Sequence, residues 1–472
     1  MLTYSFEDTG NYSLYEYLYK CIKNDILAGT LPADYKLPSK RAFAKNLGIS
    51  TITIENSYEQ LMAEGYIYSI PKKGYYISDI AAGAAPRPVQ SAPPLPIMEE
   101  AGILTADTGK YMANLTTNRT NSNNFPFYTW AKLMKDIIAE KSDALLVPSP
   151  AEGIPELRNA IARHLMDFRG MSVSPEQIIV GAGTEYLYSL LIILLGRDKT
   201  FALEDPGYSK IRLIYESNNV RCQCIPMDDD GIHVKSLEMS GADIVHLSPS
   251  HHYPTGIVTT VSRRYELLGW AANQDSRYII EDDYDCEFRL LGKPIPSLQS
   301  IDVSNKVIYM NTFTKSLAPT IRISYMILPK PLLKVFHERL GFYACTVSNF
   351  EQYTLARFIS DGHFEKHINR MRIFYRNQRD LLIDAIQKSP LADCVTIQEK
   401  NAGLHFLMHV DTPLSDEEMT ARARANGLKI TCLSQYYYHQ DNAIQHSLVI
   451  NYSAIDTEQI EQAVALLYQS IR

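Results

Sequence analysis

Long apolar runs are missing from this chain of 472 residues. No stretch of about 18 consecutive apolar residues occurs, which excludes a typical membrane-spanning helix. The first residues, MLTYSFEDTG, lack a basic start followed by an apolar core and therefore do not predict a secretion signal. These two absences predict a cytoplasmic protein, and 46% hydrophobic with 21% charged residues is an ordinary composition for one.

Cysteine is scarce as well. The chain has seven cysteines, an odd number scattered over a large protein, so a disulfide framework is excluded. Cys222 and Cys224 form a C-x-C pair, but no second pair of ligands lies nearby. They are more simply strand residues than zinc ligands, and we predict no metal site.

The chain also lacks an overall positive charge, because its formal net charge is −7. A general affinity for nucleic acid is therefore not indicated. Positive side chains are nevertheless concentrated locally in the sequence 36–45, which contains no acidic residue, and in the adjacent pair Lys72-Lys73. DNA binding requires such a local patch rather than a basic average, although a solvated charged turn is the simpler explanation of either group alone.

The composition changes sharply at residues 81–98, which contain five alanines and five prolines with Arg87 as the only charge. Such a segment cannot build a hydrophobic core and favours extended conformations. We therefore predict three parts: an N-terminal domain at 1–80, a linker at 81–105 and a large domain at 106–472.

The N-terminal domain has the pattern of three helices followed by a two-stranded wing. Apolar residues recur at helical spacing in the first helix, Ser39 and Ser50 are suited to cap the second and third, and Gly65 ends the third. Short β-prone runs then flank a turn at 71–74. We expect four apolar residues of this region to be core residues: Ile49, Ile52, Ile54 and Leu61.

After the linker, short apolar strands alternate with amphipathic helices, which is the pattern of an α/β fold with a mainly parallel sheet. A long helix at 362–389 leads into a smaller α+β tail. The predicted strands are 177–180, 200–204, 243–247, 277–281, 306–310 and 324–328, and helical patterns include 154–169 and 185–196.

The segment 37–67 resembles the winged helix-turn-helix of GntR-type regulators, through L-P-S-x-R at its start, L-G-I-S in the middle and A-E-G near its end. A helix that begins at Ser50 presents its first turn to the major groove, and the helix that begins near Ser39 suits a phosphate. The family usually has Arg where this chain has Thr51. The resemblance implies that DNA is contacted by Ser39, Lys40, Arg41, Ser50, Thr51, Thr53, Lys72 and Lys73.

From about residue 110 onward the chain resembles a fold-type I aminotransferase, an enzyme fold that binds pyridoxal 5'-phosphate (PLP). The resemblance rests on five ordered segments: A-G-T-E from 182, E-D-P-G-Y from 204, S-P-S-H-H-Y-P-T-G from 248, E-D-D-Y-D from 281 and T-F-T-K-S-L-A-P-T-I-R from 312. Fused to a winged helix, this domain is similar to the MocR/GabR group of transcriptional regulators. Such proteins are homodimers, and the resemblance implies a head-to-tail arrangement.

The resemblance also assigns roles to single residues. Lys315 would form the Schiff base with PLP, which requires an amine of depressed pKa. Asp282 would hold the pyridine nitrogen, Tyr284 the ring oxygen O3′ and Tyr208 the ring face. The phosphate would be bound by Gly183, Thr184, Thr312, Thr314 and Arg322. Taken alone, the acidic run at 281–285 could hold a divalent cation and the two adjacent histidines, His251 and His252, could bind a metal, although no third ligand of matching pattern appears.

One part of the aminotransferase pattern is absent. The arginine that fixes a substrate carboxylate is replaced by Val449, and Lys210 stands where GabR-like proteins use a second arginine. The sequence therefore predicts a transcriptional regulator that binds PLP and DNA, with PLP itself or an amino-acid-type molecule as effector. A catalytically active aminotransferase with a DNA-binding appendage is the alternative, and a DNA-binding scaffold with an inactive fold is a third reading.

Overall fold

A computed structural model describes residues 2–6, 12–80, 111–116, 124–290, 295–398 and 403–472. The chain divides into two compact units, Met1–Asp107 and Thr108–Arg472. The predicted linker at 81–105 lies outside the described residues, so its proposed limits stay a prediction. No helix within the described ranges is both long and apolar enough to cross a membrane.

The first unit consists of three helices and a two-stranded antiparallel wing. A serine caps the start of the second and third helices by satisfying a free backbone amide. The Ser39 hydroxyl accepts a hydrogen bond from the Ala42 amide, and the Ser50 hydroxyl accepts one from the Thr53 amide at 3.1 Å. The elements are α1 (Leu14–Leu27), α2 (Lys40–Leu47), α3 (Thr51–Ala63), β1 (Ile67–Ile70) and β2 (Gly74–Ile77).

The core of this unit lies between α1 and α3. Leu18 and Ile22 of α1 meet Ile54, Tyr58 and Leu61 of α3, and all five are fully buried. These positions recur at helical spacing, so one face of each helix is covered.

The prediction of a core position was wrong for Ile52, whose side chain is 68% exposed. Consecutive residues of a helix point about 100° apart, so Ile52 faces away from Ile54 and Leu61, two and nine positions further on. Ile54 and Leu61 are buried as predicted, and Ile49 is partly buried against the same core.

The second unit is built on an eight-stranded sheet among the described residues, with the order β4-β11-β10-β9-β8-β5-β6-β7. The five central strands β10, β9, β8, β5 and β6 run parallel, whereas β11 and β7 are antiparallel to their neighbours. The strands are β4 (Ile178–Gly181), β5 (Thr200–Asp205), β6 (Arg221–Asp228), β7 (Gly231–Ile232), β8 (Ile244–Leu247), β9 (Tyr278–Asp282), β10 (Val307–Thr312) and β11 (Ser324–Ile327).

Helices cover both faces of this sheet, as the alternating pattern predicts. Buried strand residues such as Ile179, Ile280 and Ile308 pack on helix residues including Leu187 and Leu191. The helices are α4 (Phe127–Glu140), α5 (Ser142–Leu145), α6 (Pro155–Arg169), α7 (Thr184–Leu195), α8 (Ser209–Ser217), α9 (Val234–Met239), α10 (Val261–Ala272), α11 (Leu298–Ile301), α12 (Phe313–Ser316), α13 (Lys330–Leu340), α14 (Asn349–Ser360) and α15 (His363–Lys388).

A smaller α+β subdomain follows α15, as predicted. Its antiparallel sheet has the order β12-β13-β15, and a separate short pair joins β3 (Ala113–Asn114) to β14 (Leu428–Lys429). The remaining elements are β12 (Val395–Gln398), β13 (His405–Val410), β15 (Ser447–Asn451), α16 (Asp416–Ala425) and α17 (Ile460–Ile471). This arrangement is an α/β fold with a mixed sheet, and the carboxyl ends of its parallel strands share one edge, where ligands of such sheets bind.

Candidate functional site

Two of the predicted residues stand at the carboxyl ends of neighbouring strands. Asp282 is the last residue of β9, and Lys315 lies in α12, the single helical turn that follows β10. Because β9 and β10 are parallel, both side chains belong to the same edge of the sheet.

Lys315 is largely withdrawn from solvent, and burial lowers the pKa of its ammonium group because the charged form loses its hydration. The negative charge of Asp285 acts in the opposite direction but is the smaller influence. Neither a hydrogen bond nor an ion pair involves the Lys315 amine among the described residues. An uncommitted amine of lowered pKa gives up its proton more readily, and the neutral amine is the form that attacks a carbonyl carbon.

Asp282 is held on one side only. Tyr188 donates its hydroxyl to Oδ2 at 2.5 Å, and His246 Nε2 lies 3.5 Å from the same oxygen. The other oxygen, Oδ1, is buried and has no hydrogen-bond partner among the residues that the structure describes. A buried carboxylate oxygen without a donor is costly, so this atom fits a cationic N–H such as a protonated pyridine nitrogen.

The start of α7 forms an anion cradle with Arg322. Gly183 adopts a φ of +93°, and a Cβ there would lie 2.4 Å from a guanidinium nitrogen of Arg322. Thr184 is the first residue of α7, whose free amides point toward the same region. Glu185 bonds to Lys210 and lies 3.3 Å from Arg322. The glycine, the helix start and the arginine together suit a phosphate.

Thr312 and Thr314 lie on the turn that carries the lysine. The Thr312 hydroxyl accepts from Ser324 at 2.7 Å and from the Thr314 amide at 3.1 Å, while the Thr314 hydroxyl donates to the carbonyl of Ile321 at 3.1 Å. Both hydroxyls therefore shape the turn, and their role as phosphate ligands stays a prediction.

Tyr208 and Tyr284 each contact the loop that contains the two histidines. The Tyr208 ring is 48% exposed and packs edge-on against Tyr253, with 5.9 Å between centroids. The Tyr284 hydroxyl lies 3.3 Å from His251 Nδ1, which is itself 2.8 Å from Asp285 Oδ2. The Tyr208 face is thus open to a ligand, and Tyr284 is aligned by its histidine neighbour.

Several residues of this site were not found from the sequence. Tyr188, which donates to Asp282, and His246, which lies beside it, have the sequence pattern of ordinary members of an apolar helix and strand. His251 and Asp285 lie in two segments that the sequence analysis singled out, but their pairing with each other was not predicted. Only their position in the fold brings them together.

The acidic run and the histidines are used separately. Glu281 accepts from the amides of Leu298 and Gln299, whereas Asp283 pairs with the buried Arg169 at 2.5 Å. His252 bonds to Thr255, and burial lowers its pKa to about 3. Within the described ranges no group of three or more His, Cys, Asp or Glu side chains could hold a metal ion.

Cys222 and Cys224 lie in β6 as free cysteines. Burial raises the pKa of their thiols to about 12 and about 11, which keeps them protonated near neutral pH. This state is typical of structural cysteines rather than metal ligands.

On the first unit, the predicted DNA-contacting residues lie on the outer surface of α2, α3 and the wing. Ser39, Arg41, Ser50 and Thr51 are exposed, and Lys72 and Lys73 form the turn between β1 and β2, where Lys72 has a φ of +64°. Lys40 forms an ion pair of 2.6 Å with Glu55 of α3, and the Thr53 hydroxyl lies 2.8 Å from that of Ser50. The exposed Ile52 adds an apolar group to the first turn of α3.

Comparison with known proteins agrees with this division. Residues 14–77 match the family of bacterial regulatory proteins of the gntR type, and residues 111–467 match aminotransferase class I and II. The chain is 41% identical to the uncharacterized HTH-type transcriptional regulator YdeL of Bacillus subtilis, over 90% of both chains. It is 30% identical to the probable rhizopine catabolism regulatory protein MocR of Rhizobium meliloti, over 96% of this chain and 92% of that protein.

Two further comparisons are with a regulator of pyridoxine biosynthesis and with a solved aminotransferase structure. The identity is 27% to the pyridoxine biosynthesis transcriptional regulator PdxR of Corynebacterium glutamicum, over 95% and 94% of the two chains. A kynurenine aminotransferase of Pyrococcus horikoshii superposes with a TM-score of 0.68 over 77% of this chain and 91% of that one, at 24% identity, and thus shares the fold.

The aminotransferase fold, with an uncommitted lysine, an unpaired aspartate oxygen and an anion cradle at one edge, binds PLP, and the winged helix binds DNA. The chain belongs to the MocR/GabR group of GntR-type transcriptional regulators, in which a winged helix-turn-helix is fused to an aminotransferase-like domain.

Proposed function

We propose that this protein is a sensor of PLP, in which the capture of PLP at Lys315 changes the affinity of the winged helix for an operator. The observation that carries the proposal is the buried Asp282 Oδ1, which has no donor, at the same sheet edge as an amine of lowered pKa. A ligand that supplies both a cationic ring N–H and an aldehyde satisfies both groups at once.

Each residue of the site has a distinct task in this proposal. PLP, when bound, supplies an aldehyde for an amine to attack and an electron-poor ring. Lys315 provides the amine, Asp282 keeps a proton on the ring nitrogen, and Tyr284 donates to the ring oxygen. Tyr208 covers one ring face. The phosphate is bound by Gly183, Thr184 and Arg322, with Thr312 and Thr314 supporting the turn beside it.

DNA contacts divide between backbone and bases. Ser39, Lys40 and Arg41 at the start of α2 bind phosphates, which positions the domain but carries no sequence information. Ser50, Thr51 and Thr53 at the start of α3 face the major groove. Lys72 and Lys73 of the wing bind the neighbouring backbone.

The identity of the effector follows from what the site offers. PdxR, a relative over nearly the whole chain, is by name a regulator of pyridoxine biosynthesis, which supports PLP itself as the signal. Regulation further requires that PLP bind one conformation of the protein better than another, and the difference in binding free energy sets the size of the response.

We also propose the assembly and location in which this happens. A head-to-tail homodimer would present two winged helices to two half-sites, with residues 1–80 and 106–472 as the domains and 81–105 as the tether. The protein would act in the cytoplasm, where a bacterial chromosome and PLP are both present.

The test measures the visible absorbance of bound PLP and the affinity of the protein for DNA. We would purify the full-length chain, load it with PLP, record its visible spectrum and titrate it onto an operator selected from random DNA. We expect the visible band of lysine-bound PLP, and a change in operator affinity of at least about fivefold on loading. Lys315→Ala should lose both, because the Lys210 amine at the cradle is paired with Glu185 and Lys315 provides the uncommitted one.

Lys334→Ala is the matched control, because Lys334 is 85% exposed on α13 and away from the sheet edge. It should behave as the unaltered protein. Equal operator affinity with and without PLP would overturn the sensor proposal. Steady turnover of an amino donor by the loaded protein would favour the aminotransferase alternative instead.

A further inference from the structure

One side of the candidate site is an apolar wall, defined here by Leu407, Leu433 and Val449 with the rings of Tyr253 and Tyr436 packed on them. The three aliphatic side chains are 8%, 2% and 2% exposed. The two tyrosine hydroxyls lie 2.7 Å apart and hydrogen-bond to each other. The polar atoms of the wall are thus satisfied from within it.

Tyr253 connects this wall to the residues assigned to PLP. Its ring centroid lies 5.9 Å from that of Tyr208 and 5.2 Å from that of His405. His405 in turn is 4.8 Å from His251, and the charge of Lys315 contributes to lowering the pKa of His405. A ligand that extends from the Lys315 amine past Tyr208 therefore meets the apolar wall.

Apart from Lys315, four of the described cations around this region form ion pairs with carboxylates. Arg322 and Lys210 share Glu185, and Arg212 is bonded to both oxygens of Glu216. Beneath the sheet edge, Arg169 pairs with Asp283. Among the described residues, none of those that form the wall is a cation.

The histidine beside the wall cannot replace such a cation. His405 Nε2 lies 3.1 Å from the carbonyl of Pro254, and burial keeps the pKa of the ring well below its ordinary value. The ring is neutral near pH 7 and its Nε2–H is committed to that carbonyl.

We propose that a ligand admitted beside PLP is a small primary amine with an apolar or aromatic body and no carboxylate. A carboxylate placed against the wall would lose its water and find no cation among the described residues that form the wall, whereas a methylene or ring would gain apolar contact. This inference rests on the proposed function, because it presupposes that PLP occupies the Lys315 site.

The test compares two ligands that differ only in the carboxylate, phenethylamine and L-phenylalanine. Calorimetric titration into the PLP-loaded full-length protein should give phenethylamine a dissociation constant at least about tenfold lower. Equal affinities, tighter binding of phenylalanine, or no binding of either would overturn the inference. Absence of the visible PLP band before any amine is added would instead overturn the proposed function, so the two failures are distinguishable.

A gain of function sharpens the test. Val449→Arg places a cation in the wall and should reverse the preference toward phenylalanine. Because Val449 is buried, Tyr436→Lys offers the same charge at a half-buried position if the first variant does not fold. Val303→Arg, at a site that is 92% exposed, is the control and should keep the original preference. An unchanged preference in both folded wall variants would contradict the assignment of the wall.

Discussion

The two units of this protein differ in how far the side chains assigned to ligand recognition are exposed to solvent. In the winged helix the important side chains are exposed and their charges are held by local contacts, such as the pair Lys40–Glu55. In the aminotransferase-like unit Lys315 and Asp282 are largely withdrawn from solvent, and neither the Lys315 amine nor Asp282 Oδ1 has a hydrogen-bond partner among the described residues. A long anionic duplex is met by a hydrated surface, whereas a small ligand is met by unsatisfied groups that water cannot reach.

The largest effect is expected for Gly183→Ala, which tests whether the second unit depends on its anion cradle. The added methyl would lie 2.4 Å from the Arg322 guanidinium on a backbone with φ of +93°, so the anion cradle cannot keep its geometry. We expect the affinity for PLP to fall by about 100-fold or more. The added methyl would displace the Arg322 guanidinium, so one charge-assisted contact with the phosphate would be lost and the phosphate would be oriented less well. Absorbance titration with PLP would measure this.

The control for Gly183→Ala is Gly241→Ala. Gly241 has a φ of +67° but an added Cβ would meet no atom within 4 Å, so this variant carries backbone strain without a clash. Its PLP affinity should be unchanged while its stability falls by about 1 kcal/mol. If both variants lost PLP equally, the cradle would not be the cause. Operator binding in the absence of PLP should survive in both, because the winged helix is a separate unit.

The second prediction concerns the recognition of DNA sequence by the exposed surface of the winged helix. Ile52→Ala removes the apolar group of the first turn of α3, which can contact a thymine methyl. We expect the affinity for the selected operator to fall about fivefold, roughly 1 kcal/mol, while binding to random DNA stays the same. Arg41→Ala should instead weaken both kinds of binding and reduce their dependence on salt. Equal losses on both DNAs for Ile52→Ala would assign it no role in sequence recognition.

The smallest expected effect concerns pH. Burial lowers the pKa of Lys315, and the Asp285 carboxylate partly opposes this. Asp285→Asn removes the charge but keeps an oxygen for His251, so the lysine pKa should fall further. The rate of PLP capture rises with pH as the amine deprotonates, and its inflection should move to lower pH by about one unit or less. Stopped-flow absorbance across pH would show this, with Asp229→Asn as an exposed control; a shift to higher pH would contradict the assignment.

What the sequence predicted well depends on neighbours along the chain. Ser50 was predicted as a cap because serine before an amphipathic run satisfies the first amides of a helix, and its hydroxyl does so. The strands that carry Asp282 and Lys315 were predicted from short apolar runs; Asp282 ends its strand and Lys315 follows the next one. Such features are decided within a few residues.

What the sequence did not predict depends on contacts between distant segments. Tyr188 reaches Asp282 across 94 positions, and Tyr253 reaches Tyr436 across 183. Composition and periodicity give no signal for such pairs. The prediction that Ile52 is a core residue was wrong because hydrophobicity alone does not show which face of a helix a side chain occupies.

Glu185 gives the anion cradle a further property. Its carboxylate pairs with Arg322 and Lys210 in the structure, so a phosphate that binds Arg322 as proposed would compete with this carboxylate. A vitamin form without a phosphoryl group has nothing to exchange for that carboxylate and leaves the ion pairs as they are. If the cradle binds the phosphate as proposed, the first turn of α7 would distinguish phosphorylated from unphosphorylated forms of the vitamin, separately from the aldehyde for which Lys315 is proposed.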